Sequence, residues 1–167
     1  MSGFLRGLQQ PEYVHTLINP LPIYGLGIGL FALIIAMFLR HRSAHITALT
    51  VIFLAATSAW PVKYYGDEAY DRVLSMSDET GSAWLAAHED RADKFIWTFY
   101  LLAAVAAAAI VLPRKFPKTA MPLIISTLLL SVASLAAGGY IAYAGGRIRH
   151  REFRTGPPPP KPVERQE

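Results

Sequence analysis

Cysteine is absent from this chain. That excludes thiolate metal sites, thioether haem attachment and disulfide bridges, and it leaves the compartment open. Charge is missing over long stretches as well: Leu21–Leu39, Ile46–Val62, Phe95–Leu112 and Thr119–Gly146 contain no Asp, Glu, Lys or Arg. A hydrocarbon core about 30 Å thick needs roughly 17 to 25 residues of helix to cross it. Each run falls in or beyond that range, and the last is long enough to tilt or protrude. The soluble alternative is a bundle of helices apolar all round, without the polar stripe that surface helices keep.

Other absences narrow the chemistry. The first twenty residues lack the apolar core of a removable signal peptide, so the first span is expected to direct insertion. The stretch GLGIG, Gly25 to Gly29, lies inside a span with no strand before it, which excludes a nucleotide fingerprint. His88 and Glu89 do not open a zinc-protease motif, because the second histidine would fall at Ala92. No serine, histidine and carboxylate arrangement announces a nucleophile, and the spans carry no ionisable residue for an intramembrane relay. The chain therefore reads as non-enzymatic.

What is present describes an all-α protein, a four-helix transmembrane bundle with a helical outer loop. Residues 1–153 form the membrane domain, with spans at about 21–39, 46–62, 95–112 and 119–146 and an outer loop over 63–94. Residues 154–167 form a Pro-rich tail read as disordered, since four consecutive prolines favour an extended chain without internal hydrogen bonds. Within the loop, Gly66–Met76 reads as a separate helix lying on the bundle, and Ser82 as the cap of the helix that re-enters the membrane. Gly25 and Gly29, the series Gly138, Ala142, Gly146, and the alanines from Ala103 onward form small-residue stripes, suited to packing within the bundle or against another subunit.

Orientation follows from the short connections. RHRSAH (Arg40 to His45) and PRKFPK (Pro113 to Lys118) are compact and basic, hence cytoplasmic. Both termini and the loop then lie outside, with a bacterial inner membrane as the expected location. The loop holds eight carboxylates against four Lys or Arg, while Gly145 to Arg154 is strongly basic; the tail is expected to pair with those carboxylates. The net charge of +4 is a sum over two sides of a membrane and implies no nucleic-acid partner.

The stretch HEDRADKFIW, His88 to Trp97, places a histidine on the lip of the third span. At 100° per residue His88 shares its face with Trp84, Leu85, Ala92, Phe95 and Phe99, and Glu89, Asp90, Asp93 and Lys94 take the opposite side. His15, in a short helical turn from Pro11 that is interrupted near Pro20 and Pro22, reaches the same depth. His150 follows the last span on that side, so three of the five histidines can converge at one mouth. Two neutral imidazoles suffice to hold a b-type haem without cysteine. Arg147 and Arg149 are suited to its propionates. Interfacial histidines also serve as hydrogen-bonded structural residues, and this alternative stays open.

The succession HTLINPLPI, GDEAYDRVLS, AAHEDRADKF and AAGGYIAYAGG resembles an uncharacterised group of small four-helix bacterial membrane proteins classed as a domain of unknown function. The likeness runs from about His15 to Gly146. It implies the four-helix fold and the membrane address, with His15 and His88 at the group's histidine positions, and it supplies no reaction.

Two functions follow. The first is a non-enzymatic stabilising or anchoring subunit of a larger membrane assembly, such as a respiratory one, with the lipid bilayer and membrane-protein partners around it. The alternative is an electron carrier whose b-type haem is held by His15 and His88, with Arg147, Arg149 and His150 around it.

Overall fold

The computed structural model describes residues 3–160. Seven α-helices follow in order: α1 (Gly3–Gly7), α2 (Pro11–Ile18), α3 (Pro20–Leu39), α4 (Arg42–Thr57), α5 (Ala59–Ser75), α6 (Glu79–Val111) and α7 (Ala120–Arg149). Three short 3₁₀ turns, Leu112–Arg114, Pro117–Thr119 and Arg151–Phe153, complete the order, and the described residues contain no strand. In space these helices make four rods, Pro11–Leu39, Arg42–Ser75, Glu79–Arg114 and Pro117–Arg149, each long and apolar enough to cross a membrane.

The rods exceed what a membrane requires. Arg42–Ser75 spans 34 residues, and at about 1.5 Å per residue such a rod is roughly 50 Å long, some 20 Å more than a hydrocarbon core. This corrects two expectations about the loop. Its helix does not begin at Gly66 but runs from Ala59 as the near-continuation of α4. The break between α4 and α5 falls at Ser58, because Pro61 has no N–H to give the Thr57 carbonyl; pairing resumes with Val62 N–H to the Ser58 carbonyl at 3.3 Å. Likewise α6 is capped by Asp78, whose carboxylate accepts from Gly81 N–H at 2.7 Å, and not by Ser82. The break expected near Pro20 is present at Asn19, which leaves α2 as a separate short helix ahead of α3.

Close backbone approach joins the rods. A Cβ on Gly25 would stand 2.9 Å from Ala55 Cβ, and one on Gly29 would stand 2.7 Å from Ile52 Cγ1, so α3 and α4 meet along this stripe. Gly138 seats α7 against Ile23 and Phe99. Ala106 and Ala109 of α6 are buried with Leu26, Leu33, Leu49, Ile52 and Leu102 in the core. The stripes are thus used within the chain. Outside, the surface is apolar: Phe38 is 83% exposed, Tyr24 70% and Trp97 69%, the reverse of a water-facing bundle.

At the end away from the basic turns, a clasp closes α6 on α7. Arg154 Nη1 donates to both carboxylate oxygens of Asp78 at 2.9 and 2.8 Å, Nε to the Arg147 carbonyl at 2.8 Å and Nη2 to the Ile148 carbonyl at 2.7 Å. One side chain therefore satisfies orphan carbonyls at the end of α7 and the residue capping α6. Gly81 leaves the room: its Cβ would fall 2.9 Å from the Ile148 carbonyl oxygen. Arg151 adds a contact to Asp78 at 3.1 Å. Arg154, expected in the free tail, is instead held with its side chain only 10% exposed. The disorder expected beyond residue 160 lies outside the described residues.

The clasp predicts a pH signature. The Arg154 guanidinium, with the Gly81 N–H, holds the Asp78 carboxyl below its ordinary value of 3.8. A carboxyl depressed on folding stabilises the protein above its unfolded pKa of about 4, and that contribution disappears as pH falls through the lower folded value. Asp78→Asn should lower the thermal midpoint at pH 7, with the gap to wild type closing below about pH 4. A chain ending at Arg154 should keep the midpoint, and one ending at Phe153 should lose it. An equal gap at pH 7 and pH 3 would contradict the clasp.

Candidate functional site

The rods enclose a cavity of about 750 Å³ at the clasp end, walled by α2 and α5 on one side and by α6 and α7 on the other. Its inner end is apolar, with Pro22, Ile23, Ala59, Ile96, Phe99 and Gly138, and its mouth carries Glu12, Tyr70, Arg149 and His150. This gradient follows from the length of the rods, whose outer extensions can carry polar residues that the charge-free runs do not.

His15 and His88 both line this cavity, one ring edge-on to the other. His15 Nδ1 lies 2.9 Å from the Val62 carbonyl on α5, and His88 Nδ1 lies 3.0 Å from the Ile141 carbonyl on α7. A carbonyl only accepts, so each Nδ1 carries the proton and each Nε2 keeps a lone pair. Both rings sit on glycine. A Cβ on Gly66 would stand 3.0 Å from Nδ1 and Cε1 of His15, and a Cβ on Gly145 would stand 3.0 Å from the same atoms of His88. The ring centres are 6.4 Å apart and the ring planes nearly perpendicular, at 85°.

That spacing has chemical meaning. A metal–imidazole bond of about 2.0 Å, with ~1.1 Å more to the ring centre, puts two rings whose nitrogens both point at one ion roughly 6.2 Å apart. Among the described residues no group of three or more His, Cys, Asp or Glu is placed to hold a metal. Two imidazoles are too few for a bare zinc ion, which takes three or four protein ligands. They are the right number for an iron whose four equatorial donors come with a porphyrin.

The remaining residues expected at the site divide. Arg149 and His150 line the mouth. Arg149 Nη2 lies 3.9 Å from Met76 Sδ, while His150 is held at 2.9 Å by Glu152 and stacks on Phe153, so it does not join the other two histidines. Arg147 is not in the cavity wall; its guanidinium lies over Tyr143, 3.5 Å from the ring centre, on another face. The turn that points α7 residues 145 and 149 inward turns residue 147 away.

Several wall residues have no place in the reading from sequence alone. Glu89, expected opposite His88, lines the same cavity, because α5 wraps that side of α6 beyond the membrane runs. Lys63 bridges Asp67 on its own helix and Asp93 on α6, the latter at 2.8 Å, and ties the two walls together. Glu12 pairs with Arg72 at 2.7 Å, and its second carboxylate oxygen is buried without a partner. The available signal was Gly66: a glycine inside an otherwise good helix marks a close approach.

No protein-family model matches the chain, and neither curated proteins nor solved structures match it. The resemblance to the four-helix group therefore has no family match behind it, and the geometry carries the functional argument.

Anchoring through Nδ1 predicts an observable tautomer. In ¹⁵N-histidine-labelled protein at pH 8, His15 and His88 should both show a protonated Nδ1 and a bare Nε2. Gly145→Ala should perturb the His88 signals and leave those of His15 in place. Finding the proton on Nε2 of both rings would refute the arrangement.

Proposed function

We propose that this chain is an integral membrane electron carrier that binds one b-type haem between His15 and His88. The observation that supports it is the pair of imidazoles lining one cavity, with ring centres 6.4 Å apart and each ring tied by Nδ1 to a neighbouring helix. Bound haem, which His15 and His88 would hold, would supply one-electron chemistry.

The chain's own residues have separable roles. His15 and His88 present neutral nitrogens, and their carbonyl bonds fix ring orientation and raise ligand basicity, as outer-shell partners of metal-bound histidines do. Phe99, Ile96 and Ile23 exclude water from the inner end. Arg149 at the mouth offers a cation to carboxylates, a geometry guanidinium suits. Lys63, engaged by Asp67 and Asp93, holds α5 to α6 and keeps the two histidine-bearing walls in register.

The membrane setting rests on the four long apolar rods and their exposed apolar surface. With Arg40, Arg42, Arg114, Lys115 and Lys118 in the short turns at one end, the charge rule places that end in the cytoplasm. The cavity then opens on the outer side, together with both termini, and a bacterial inner membrane is the proposed address.

An anchoring role within a larger assembly is the second reading. It draws support from the exposed prolines Pro157 and Pro158 just past the clasp, since a preformed extended segment loses little entropy on docking. Gly25, Gly29 and Gly138 lend it none, being occupied by contacts inside the bundle.

The readings separate on purified protein. Chain expressed with a haem supply should be coloured, with low-spin bands that sharpen on reduction by dithionite. His15→Ala and His88→Ala should each abolish the low-spin spectrum, with helical content unchanged by circular dichroism. A colourless preparation that also fails to take up added hemin would rule out the haem reading, and stoichiometric partners in it would favour the second.

A further inference from the structure

A different face at the same end carries two arginines that the cavity does not use. Arg91 on α6 stands just ahead of the charge-free run that begins at Phe95, and Arg147 on α7 is the first charge after the run that ends at Gly146. Both therefore sit where hydrocarbon gives way to headgroups if the rods cross a bilayer. Each guanidinium is laid on a tyrosine: Arg91 Cζ is 3.9 Å from the centre of the Tyr140 ring, and Arg147 Cζ is 3.5 Å from that of Tyr143. Tyr143 is common to both, its centre 5.8 Å from Arg91 Cζ, and Trp84 backs Arg147 at 5.4 Å.

Each arginine also donates one Nη1–H to the carbonyl of the tyrosine it covers, Arg91 to Tyr140 and Arg147 to Tyr143, both at 2.9 Å. These contacts hold the guanidinium planes in place and leave further N–H donors unused. Among the described residues no carboxylate lies within ion-pair range of either. The nearby acids are taken by lysines, Asp90 by Lys94 at 2.7 Å and Asp93 by Lys63 at 2.8 Å. Phe95, packed edge-on against Tyr140 at 5.9 Å, continues the face toward the apolar runs.

Two pre-oriented, uncompensated cations at headgroup depth, above an apolar and aromatic surface, match one ligand chemistry. We infer that Arg91, Arg147, Tyr140 and Tyr143 form a site for the phosphodiester of an anionic phospholipid. Planar guanidinium suits the phosphate oxygens, and side chains already fixed by π and carbonyl contacts lose little entropy on binding. Lipid phosphates are the anions present at that depth. The inference rests on the membrane setting and not on the haem.

The test uses the full chain, delipidated in neutral detergent, with retained lipid counted by native mass spectrometry. Phosphatidylglycerol should be retained over phosphatidylcholine of the same acyl chains, with each arginine contributing about fivefold. Arg91→Gln with Arg147→Gln should erase the preference, whereas Arg114→Gln with Lys115→Gln in the opposite turn should preserve it. Because the comparison of the two lipids is made first on wild type, it stands even if the double variant folds poorly. Equal retention of both lipids by wild type would overturn the site, as would an undiminished preference in a folded double variant. Displacement of the lipid by millimolar inorganic phosphate would also overturn it, because the site would then recognise the free anion.

Discussion

Two hydrogen bonds govern the architecture at the cavity end: the His15 imidazole to the Val62 carbonyl and the His88 imidazole to the Ile141 carbonyl. Each ring is anchored to a helix other than its own, so its position is a property of a helix pair. α2 locks to α5 through His15, and α6 locks to α7 through His88. Each bond on its own is worth only about 1 kcal/mol net. Their importance is geometric, because the glycine beneath each ring and the carbonyl beside it leave one place for the imidazole.

The cavity exists because the rods continue past the length a bilayer demands. Inside a membrane, backbone groups must be satisfied within the helix and polar side chains are costly, so the charge-free portions can do little besides pack. The extensions beyond the charge-free runs carry Lys63, Asp67, Glu89, Asp93 and Arg149 on the same helices. The cavity straddles the transition, apolar at Phe99 and Gly138 and charged at its mouth. The clasp of Asp78 with Arg154 closes the open ends of α6 and α7. It sets the axial register that brings His88 level with Ile141 and Gly145.

Where the reading from sequence and the structure part company, the cause is a neighbour. Gly66–Met76 had the pattern of a free helix, but nothing between Pro61 and Gly66 stops the helix from starting at Ala59. Ser82 was a plausible cap by type, yet Asp78 holds the position because Arg154, 76 residues away, pairs with it there. Arg147 and Arg149 were equivalent as letters in a basic string; on α7 they point to different faces, one over Tyr143 and the other at the cavity mouth. Helical periodicity placed Glu89 opposite His88, but a helix surrounded by others has more than one inward side.

The sequence by itself determined the helical class, the four apolar spans, the basic turns between them and the inward face of His88, because these depend on local composition and on the angle between neighbours along one helix. Only the tertiary structure decided that the His15 and His88 ring centres lie 6.4 Å apart while His150 stacks on Phe153, that Gly66 and Gly145 seat the rings, and that Arg154 is a clasp. Those facts depend on the distance and rotation between separate helices, which packing and close glycine contacts set and which no stretch of one helix contains.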